Sequence, residues 1–284
     1  MAELHKRKKD YKSAFIFSKR HAEETRKFLS KENSHQVNEI HAKYDVEKKE
    51  KETEIYRLKN VELKIVLGKL DEEKKRSDTL LKNILPVDIA EDLKATGKSP
   101  VRFFDSVTVM FIDIKDFTLY SQKLSPEELV IELDFCFMKF DEIIDKHKLE
   151  KIKTIGDAYL CAGGLPKPSK DHAHKISLAA IDIKRFVTER KKENDRKNQL
   201  GFEVRIGIHS GPVIAGIIGK KKFAYDIWGD TVNTAARMEQ SSEAGKINIS
   251  ESTFKLIQRK IACTYRGKIA AKNKGEIDMY FVND

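Results

Sequence analysis

Asp113 closes a mostly apolar run, Val107-Thr-Val-Met-Phe-Ile-Asp113. A carboxylate at the end of a buried strand is costly unless something neutralises it. Asp157 follows Gly156 in Lys151-Ile-Lys-Thr-Ile-Gly-Asp157, where the glycine permits a tight turn that exposes the acid. Neither aspartate has a His or Cys beside it, so a ligand set built on them is all oxygen. Oxygen donors select Mg2+ or Mn2+ over zinc. The same spacing also suits two aspartates that cap turns. A third segment, Phe223 to Glu239, places Asn233 and Arg237 four residues apart on one helical face. Arginine can grip phosphate with a bidentate fork and asparagine can add a donor. Without further context the pair also suits an ordinary helix surface.

The elements that must position these residues begin after Pro100. Val107–Ile112 has the pattern of a buried strand, and Glu127–His147 has helical spacing of Leu129, Leu133, Phe137 and Phe140. Short strands are predicted at Ile152–Thr154 and Ala158–Cys161, and a helix over Asp171–Lys191 with a charged loop behind it. Val204–His209 and Val213–Ile218 read as two strands around Gly211-Pro212, and Asp230–Gln240 as a helix. Helices packed on a mostly antiparallel sheet define the α+β class.

The first third differs. Residues 1–85 hold one glycine, Gly68, and no proline, so helix is expected throughout. Residues 35–79 read as a coiled-coil rod, and His35–Leu85 as one helix would run about 75 Å. Val37, Ile40 and Tyr44 form one apolar stripe. Leu63, Leu70, Ser77 and Ile84 recur at sevens, with Val66 and Leu80 between them. Residues 1–34 resemble the closing helices of a tetratricopeptide array, which would belong to an upstream repeat or sensor domain. Pro86 should kink or restart the helix, making 80–100 a transducer element before a catalytic domain at 101–284.

Composition narrows the function classes. Net charge is +10, with +5 in residues 1–90 and +5 in the remainder, always mixed with acids. That spread describes a solvated surface and argues against nucleic-acid binding. No apolar run reaches the roughly 18 residues of a membrane span. Three scattered cysteines suit a reducing cytoplasm better than a disulfide framework.

Several of these segments together resemble the class III nucleotide cyclases, the adenylate and guanylate cyclase family. They are Phe111-Ile-Asp-Ile114, Lys153-Thr-Ile-Gly-Asp-Ala-Tyr159, Arg205-Ile-Gly-Ile-His-Ser-Gly-Pro-Val-Ile-Ala-Gly216 and Tyr225-Asp-Ile-Trp-Gly-Asp-Thr-Val-Asn233. The resemblance covers about Ser106 to Val282. It implies a ferredoxin-like palm and a homodimer with active sites at the interface, formed through both the cyclase domain and the coiled coil. It implies that Asp113, Asp157 and the Ile114 carbonyl hold two metal ions per site, Mg2+ or Mn2+. Asn233 and Arg237 match residues that orient ribose and stabilise the pentavalent phosphorus, and Lys272 the lysine that grips the triphosphate, with Lys274 a weaker candidate. Backbone N–H groups up to Phe117 and Thr118, at a helix start, would cradle phosphate oxygens. Asp116 departs from the glycine common at its position; its carboxylate is expected to point outward and cap the helix.

Base choice rests on Lys153 and Asp226. Adenine offers a donor at N6 and an acceptor at N1, which an acid and a lysine complement. Guanylate cyclases carry Glu and usually Cys at these two positions, so the resemblance implies ATP. The implied reaction is ATP to 3′,5′-cyclic AMP and pyrophosphate. A regulatory pseudo-cyclase would lack a metal aspartate or the Asn/Arg pair, and this chain keeps all of them. His209 and Trp228 are read as structural.

Overall fold

The computed structural model describes residues 1–7, 10–197, 199–219, 223–271 and 275–283. They form two compact units, Met1–Ser77 and Asp78–Asp284.

The first unit consists of α1 (Ala2–Arg7) and most of α2 (Tyr11–Ile84). The absence of glycine and proline has the expected result: α2 is a single helix of 74 residues. It crosses position 34 without a turn. Residues 1–34 thus fall in α1 and the start of α2, and neither helix by itself marks a tetratricopeptide array. No residue of α2 is buried.

In the second unit the last turns of α2 meet Pro86, which sits at the N-cap of α3 (Val87–Thr96). Gly97 then ends α3 in the left-handed conformation. Leu85, Ile89 and Ala90 are buried, and Leu81 packs against the same cluster. The elements that follow are β1 (Arg102–Ile114), α4 (Phe117–Lys123), α5 (Pro126–Lys146), β2 (Glu150–Ile155), β3 (Ala158–Gly163) and α6 (His172–Arg196). Then come β4 (Val204–Ile218), β5 (Ala224–Trp228), α7 (Asp230–Gln240), β6 (Ile247–Ser250), α8 (Glu251–Ile257), β7 (Cys263–Ala271) and β8 (Gly275–Val282).

The strand order is β2-β3-β1-β4-β6-β8-β7, with β5 paired to β4. β1-α5-β2 and β3-α6-β4 make the two halves of a ferredoxin-like palm. Among the described strand pairs only β4 with β6 is parallel, so the sheet is mixed. Alternate residues of β1 serve opposite layers, as the two-residue period of a strand requires. Met110, Ile112 and Ile114 pack with α5 and α6 residues such as Phe140 and Ile183. Val107, Val109 and Phe111 pack with α3 and with Ala235 of α7.

Two local predictions are corrected. The strands expected on either side of Gly211-Pro212 are one continuous strand, β4. Pro212 has no N–H to donate, and β1 meets it with a bulge: the register jumps from Phe104↔Val213 to Val107↔Gly211. The charged run after Lys191 remains helical to Arg196. Glu132 of α5 accepts from Arg190 Nε and Nη2 at 3.0 and 2.8 Å and from Asn194 Nδ2 at 3.1 Å, tying down that last stretch.

Among the described residues, no helix is long and apolar enough to cross a membrane. All three cysteines are free thiols.

Candidate active site

Asp113 lies at the end of β1, flanked by Ala158 of β3 on one side and Arg205 of β4 on the other. This register solves the desolvation problem posed by the sequence. Arg205 donates to Asp113 Oδ2 from Nε at 3.1 Å and from Nη2 at 2.7 Å. Asp157 occupies the β2–β3 turn, one residue before Ala158, and Gly156 beside it has φ +62°. The Asp157 pKa is raised above the ordinary carboxylate value, first by burial and then by the neighbouring Asp113 carboxylate, with Arg205 opposing. The two aspartates are thus brought together.

Glu239 completes this corner. It is 6% exposed, on the inner face of α7, and its Oε1 pairs with Arg205 Nε. Burial, then the Asp113 charge, pushes its carboxyl up to about 7. For Arg205, burial opposes the charged form, but the Glu239 and Asp113 carboxylates outweigh it and raise its pKa. The helix can approach this closely because residue 207 is glycine. A Cβ on Gly207 would lie 1.8 Å from the Glu239 backbone nitrogen. Sequence reasoning did not assign a role to Arg205 or Glu239. The available signal was an acid two residues past Arg237, on the stripe of α7 that also carries Ala235 and Met238. A carboxylate on a core-facing stripe demands a cation.

Lys153 of β2 and Asp226 of β5 meet at 2.5 Å, Nζ to Oδ2. The backbone N–H of Ile227 donates to the other oxygen, Oδ1, at 2.9 Å. The lysine is exposed and the aspartate half-buried, so the pair presents one donor and one acceptor to a partly covered surface.

α7 begins at Asp230, as the sequence predicted. Thr231, Thr234, Ala235, Met238 and Glu239 are its buried side. Asn233 is exposed and Arg237 half-exposed on the opposite side, and Arg237 Nη1 donates to Gln240 Oε1 at 2.5 Å. Phe117 and Thr118 open α4; Phe117 packs on the core and Thr118 is exposed. Asp116 adopts φ 56°, ψ 34°, which explains why glycine suits this position. Its carboxylate points outward and pairs with Lys115 at 3.0 Å, but it makes no side-chain cap bond. The capping expected of Asp116 is therefore corrected: in the left-handed region the side chain does not reach the first-turn amides. Lys272 and Lys274 lie outside the described residues. His209 is structural as read, with Nδ1 2.7 Å from Ser250 Oγ.

Three sets of side chains result. Asp113 and Asp157 share a corner with Arg205 and Glu239, Lys153 pairs with Asp226, and Asn233 shares a helix face with Arg237. Among the described residues no hydrogen bond or ion pair joins one set to another.

The aspartate corner fits a hard divalent cation. It sets three carboxylates around one guanidinium and offers only oxygen donors. Among the described residues no group of three or more His, Cys, Asp or Glu is arranged to hold a metal. Further ligands would have to come from backbone, such as the Ile114 carbonyl, from water or from substrate.

The mixed sheet with its ferredoxin-like palm is the fold that the resemblance to the nucleotide cyclases implies. The family profile described as "Adenylate and Guanylate cyclase catalytic domain" matches residues 100–284, and the chain belongs to that family. An adenylate cyclase of Mycobacterium tuberculosis is 36% identical over 214 residues, 75% of this chain and 47% of the relative. Human atrial natriuretic peptide receptor 2 is 38% identical over 215 residues, 74% of this chain and 20% of the receptor. The chain thus spans half or less of the length of these relatives. The guanylate cyclase domain of RhGC from Catenaria anguillulae, solved with GTP, superimposes with a TM-score of 0.61 at 36% identity, covering 64% of this chain and 98% of that one. The adenylyl cyclase CyaB from P. aeruginosa does so with a TM-score of 0.63 at 29% identity, covering 66% and 97%.

Proposed function

We propose that the protein is an adenylate cyclase, converting ATP to 3′,5′-cyclic AMP and pyrophosphate at two sites shared between the protomers of a homodimer. Adenylate and guanylate cyclases resemble the chain to similar degrees, so overall identity does not choose the nucleotide. The observation that carries the choice is the Lys153–Asp226 pair. Asp226 can accept from adenine N6 and Lys153 can donate to N1. Guanine reverses both demands, and each mismatch leaves a polar group unpaired at about 1–3 kcal/mol.

Asp113 and Asp157 would hold Mg2+ or Mn2+, with the Ile114 carbonyl as a further ligand. When bound, the ions lower the pKa of the attacking 3′-hydroxyl and neutralise the triphosphate. Arg205 holds Asp113 in place through two hydrogen bonds to Oδ2. The first-turn amides of Phe117 and Thr118, not capped by the Asp116 side chain, would face phosphate oxygens. Asn233 would orient the ribose, and Arg237 would meet charge that develops at phosphorus in the transition state. Lys272 is assigned the triphosphate on sequence resemblance alone. The separation of the three sets within one chain supports completion of each site by a second copy. The apolar stripes of α2 would add a coiled-coil contact and link the enzyme to an upstream sensor.

The test is incubation of the chain with ATP or GTP and either metal, with the cyclic products quantified across protein concentration. Cyclic AMP whose specific activity rises with concentration is expected. Cyclic GMP as the main product would overturn the base assignment, and nucleotide binding without turnover would mark a pseudo-cyclase.

A further inference from the structure

The apolar residues of α2 fall on two heptad phases, not one. The first runs Val37, Ile40, Tyr44, then through Glu47, Lys51 and Glu54 to Leu58, Val61 and Ile65. The second runs Leu63, Val66, Leu70, then through Glu73 and Ser77 to Leu80 and Ile84. Each apolar member of both phases is at least half exposed. The equivalent positions Leu63 and Ile65 are two residues apart, which is about 200° around a helix wound at about 3.5 residues per turn. The two stripes therefore lie on nearly opposite sides of the helix. They overlap only between Leu63 and Ile65.

The occupant that fits is a second copy of the same helix in parallel. Steps of three and four give a narrow stripe, the width of a two-helix seam and not of a face covered by a globular partner. Charge distinguishes the two phases. In the first phase Arg57, at g, faces Glu62 of the second copy, at e. In the second phase Glu73, at d, lies beside Lys74 of the second copy, at e. Each phase also carries a penalty: Lys43 at g faces Lys48 of the second copy in the first, and Lys69 at g faces Lys74 of the second copy in the second. One seam thus has better charge pairing and the other a closer run of apolar residues leading into the catalytic unit.

We propose that α2 holds two mutually exclusive dimer seams, Val37–Ile65 and Leu63–Ile84, and that closing one opens the other. This rests on the homodimer reading given above. A signal that tightens the upstream seam would release the downstream one, and the reverse.

The test uses the full chain with Cys263→Ser, since Cys136 and Cys161 are buried. Ile65→Cys reports the first seam and Leu70→Cys the second, by oxidative cross-linking between protomers. Both variants are expected to cross-link partially. Raising salt from about 0.05 to 1 M screens the Arg57–Glu62 attraction and both Lys–Lys repulsions, so at the g–e positions the first seam loses its one attractive pair while the second is only relieved. Cross-linking at position 70 should then rise roughly twofold or more while that at 65 falls. A disulfide formed at Val37→Cys should suppress cross-linking at position 70. A dimer that cross-links at only one of the two positions in every condition, or at both simultaneously and fully, would overturn the two-seam proposal alone. A chain that sediments as a monomer throughout would remove the dimer reading, and the seams with it.

Discussion

The two sides of α7 treat charge in opposite ways. On the inner side Glu239 is buried against Arg205, which also holds Asp113, so the charges are satisfied within one chain. On the outer side Asn233 and Arg237 stand toward solvent, and among the described residues Arg237 donates to Gln240 of its own helix. The difference teaches where each half of the chemistry is completed. In the proposed reaction the inner corner would hold the cations, and the outer face would offer its donors to the substrate's phosphates.

The largest expected effect comes from the inner corner. Asp157→Asn should reduce cyclase activity by about a thousandfold or more, about 4 kcal/mol in the barrier. Its melting temperature should stay near that of the parent, because burial and Asp113 already disfavour the Asp157 charge. Retained turnover would break the assignment of the corner to metal binding. Gly207→Ala attacks the same corner through packing. A methyl group 1.8 Å from a backbone nitrogen must push α7 off β4, at about 3 kcal/mol. Urea melts measure that cost, and an unchanged midpoint would contradict the close approach.

The base pair gives a smaller, more selective effect. Lys153→Glu with Asp226→Cys should lower the preference for ATP over GTP by about 2 kcal/mol, or roughly thirtyfold in relative kcat/KM. An unchanged ratio would move base recognition elsewhere.

Glu150 sharpens the contrast, since it is a half-buried acid with no arginine paired to it among the described residues. Burial, then Asp145, pushes its carboxyl up to about 7. For a carboxyl raised in the folded state, the stabilising contribution is present below its unfolded pKa and lost as pH rises through about 7. Glu150→Gln should therefore gain stability relative to the parent between pH 5 and 8, by about 1 kcal/mol. Melts at the two pH values measure it, and parallel pH profiles for parent and variant would show that the carboxyl does not titrate there.

How much was legible in the sequence follows from range. Asp230–Gln240, Pro86 and Gly97 carry local signals, and the structure has α7, the helix break and the α3 terminus where those residues put them. Asp113, Asp157, Asn233 and Arg237 were visible because their types are unusual for their neighbourhoods. Arg205 and Glu239 were not, because their meaning depends on β1–β4 register and on a helix lying against a strand. The continuity of β4 through Pro212 was hidden for the same reason: the compensating bulge is in another strand. On α2 the heptad pattern was visible but interrupted at Glu73 and Ser77, and a helix that buries nothing offers no packing to show which stripe is used.

The most direct test of shared sites is complementation. An Asp157→Asn chain and an Arg237→Ala chain, each inactive alone, are mixed, and cyclic AMP formed from ATP is measured alongside heterodimer content. Each heterodimer should contain one site with an intact inner corner and an intact outer face, so activity should return toward about half that of the parent dimer. Proven heterodimers that make no cyclic AMP would contradict the account.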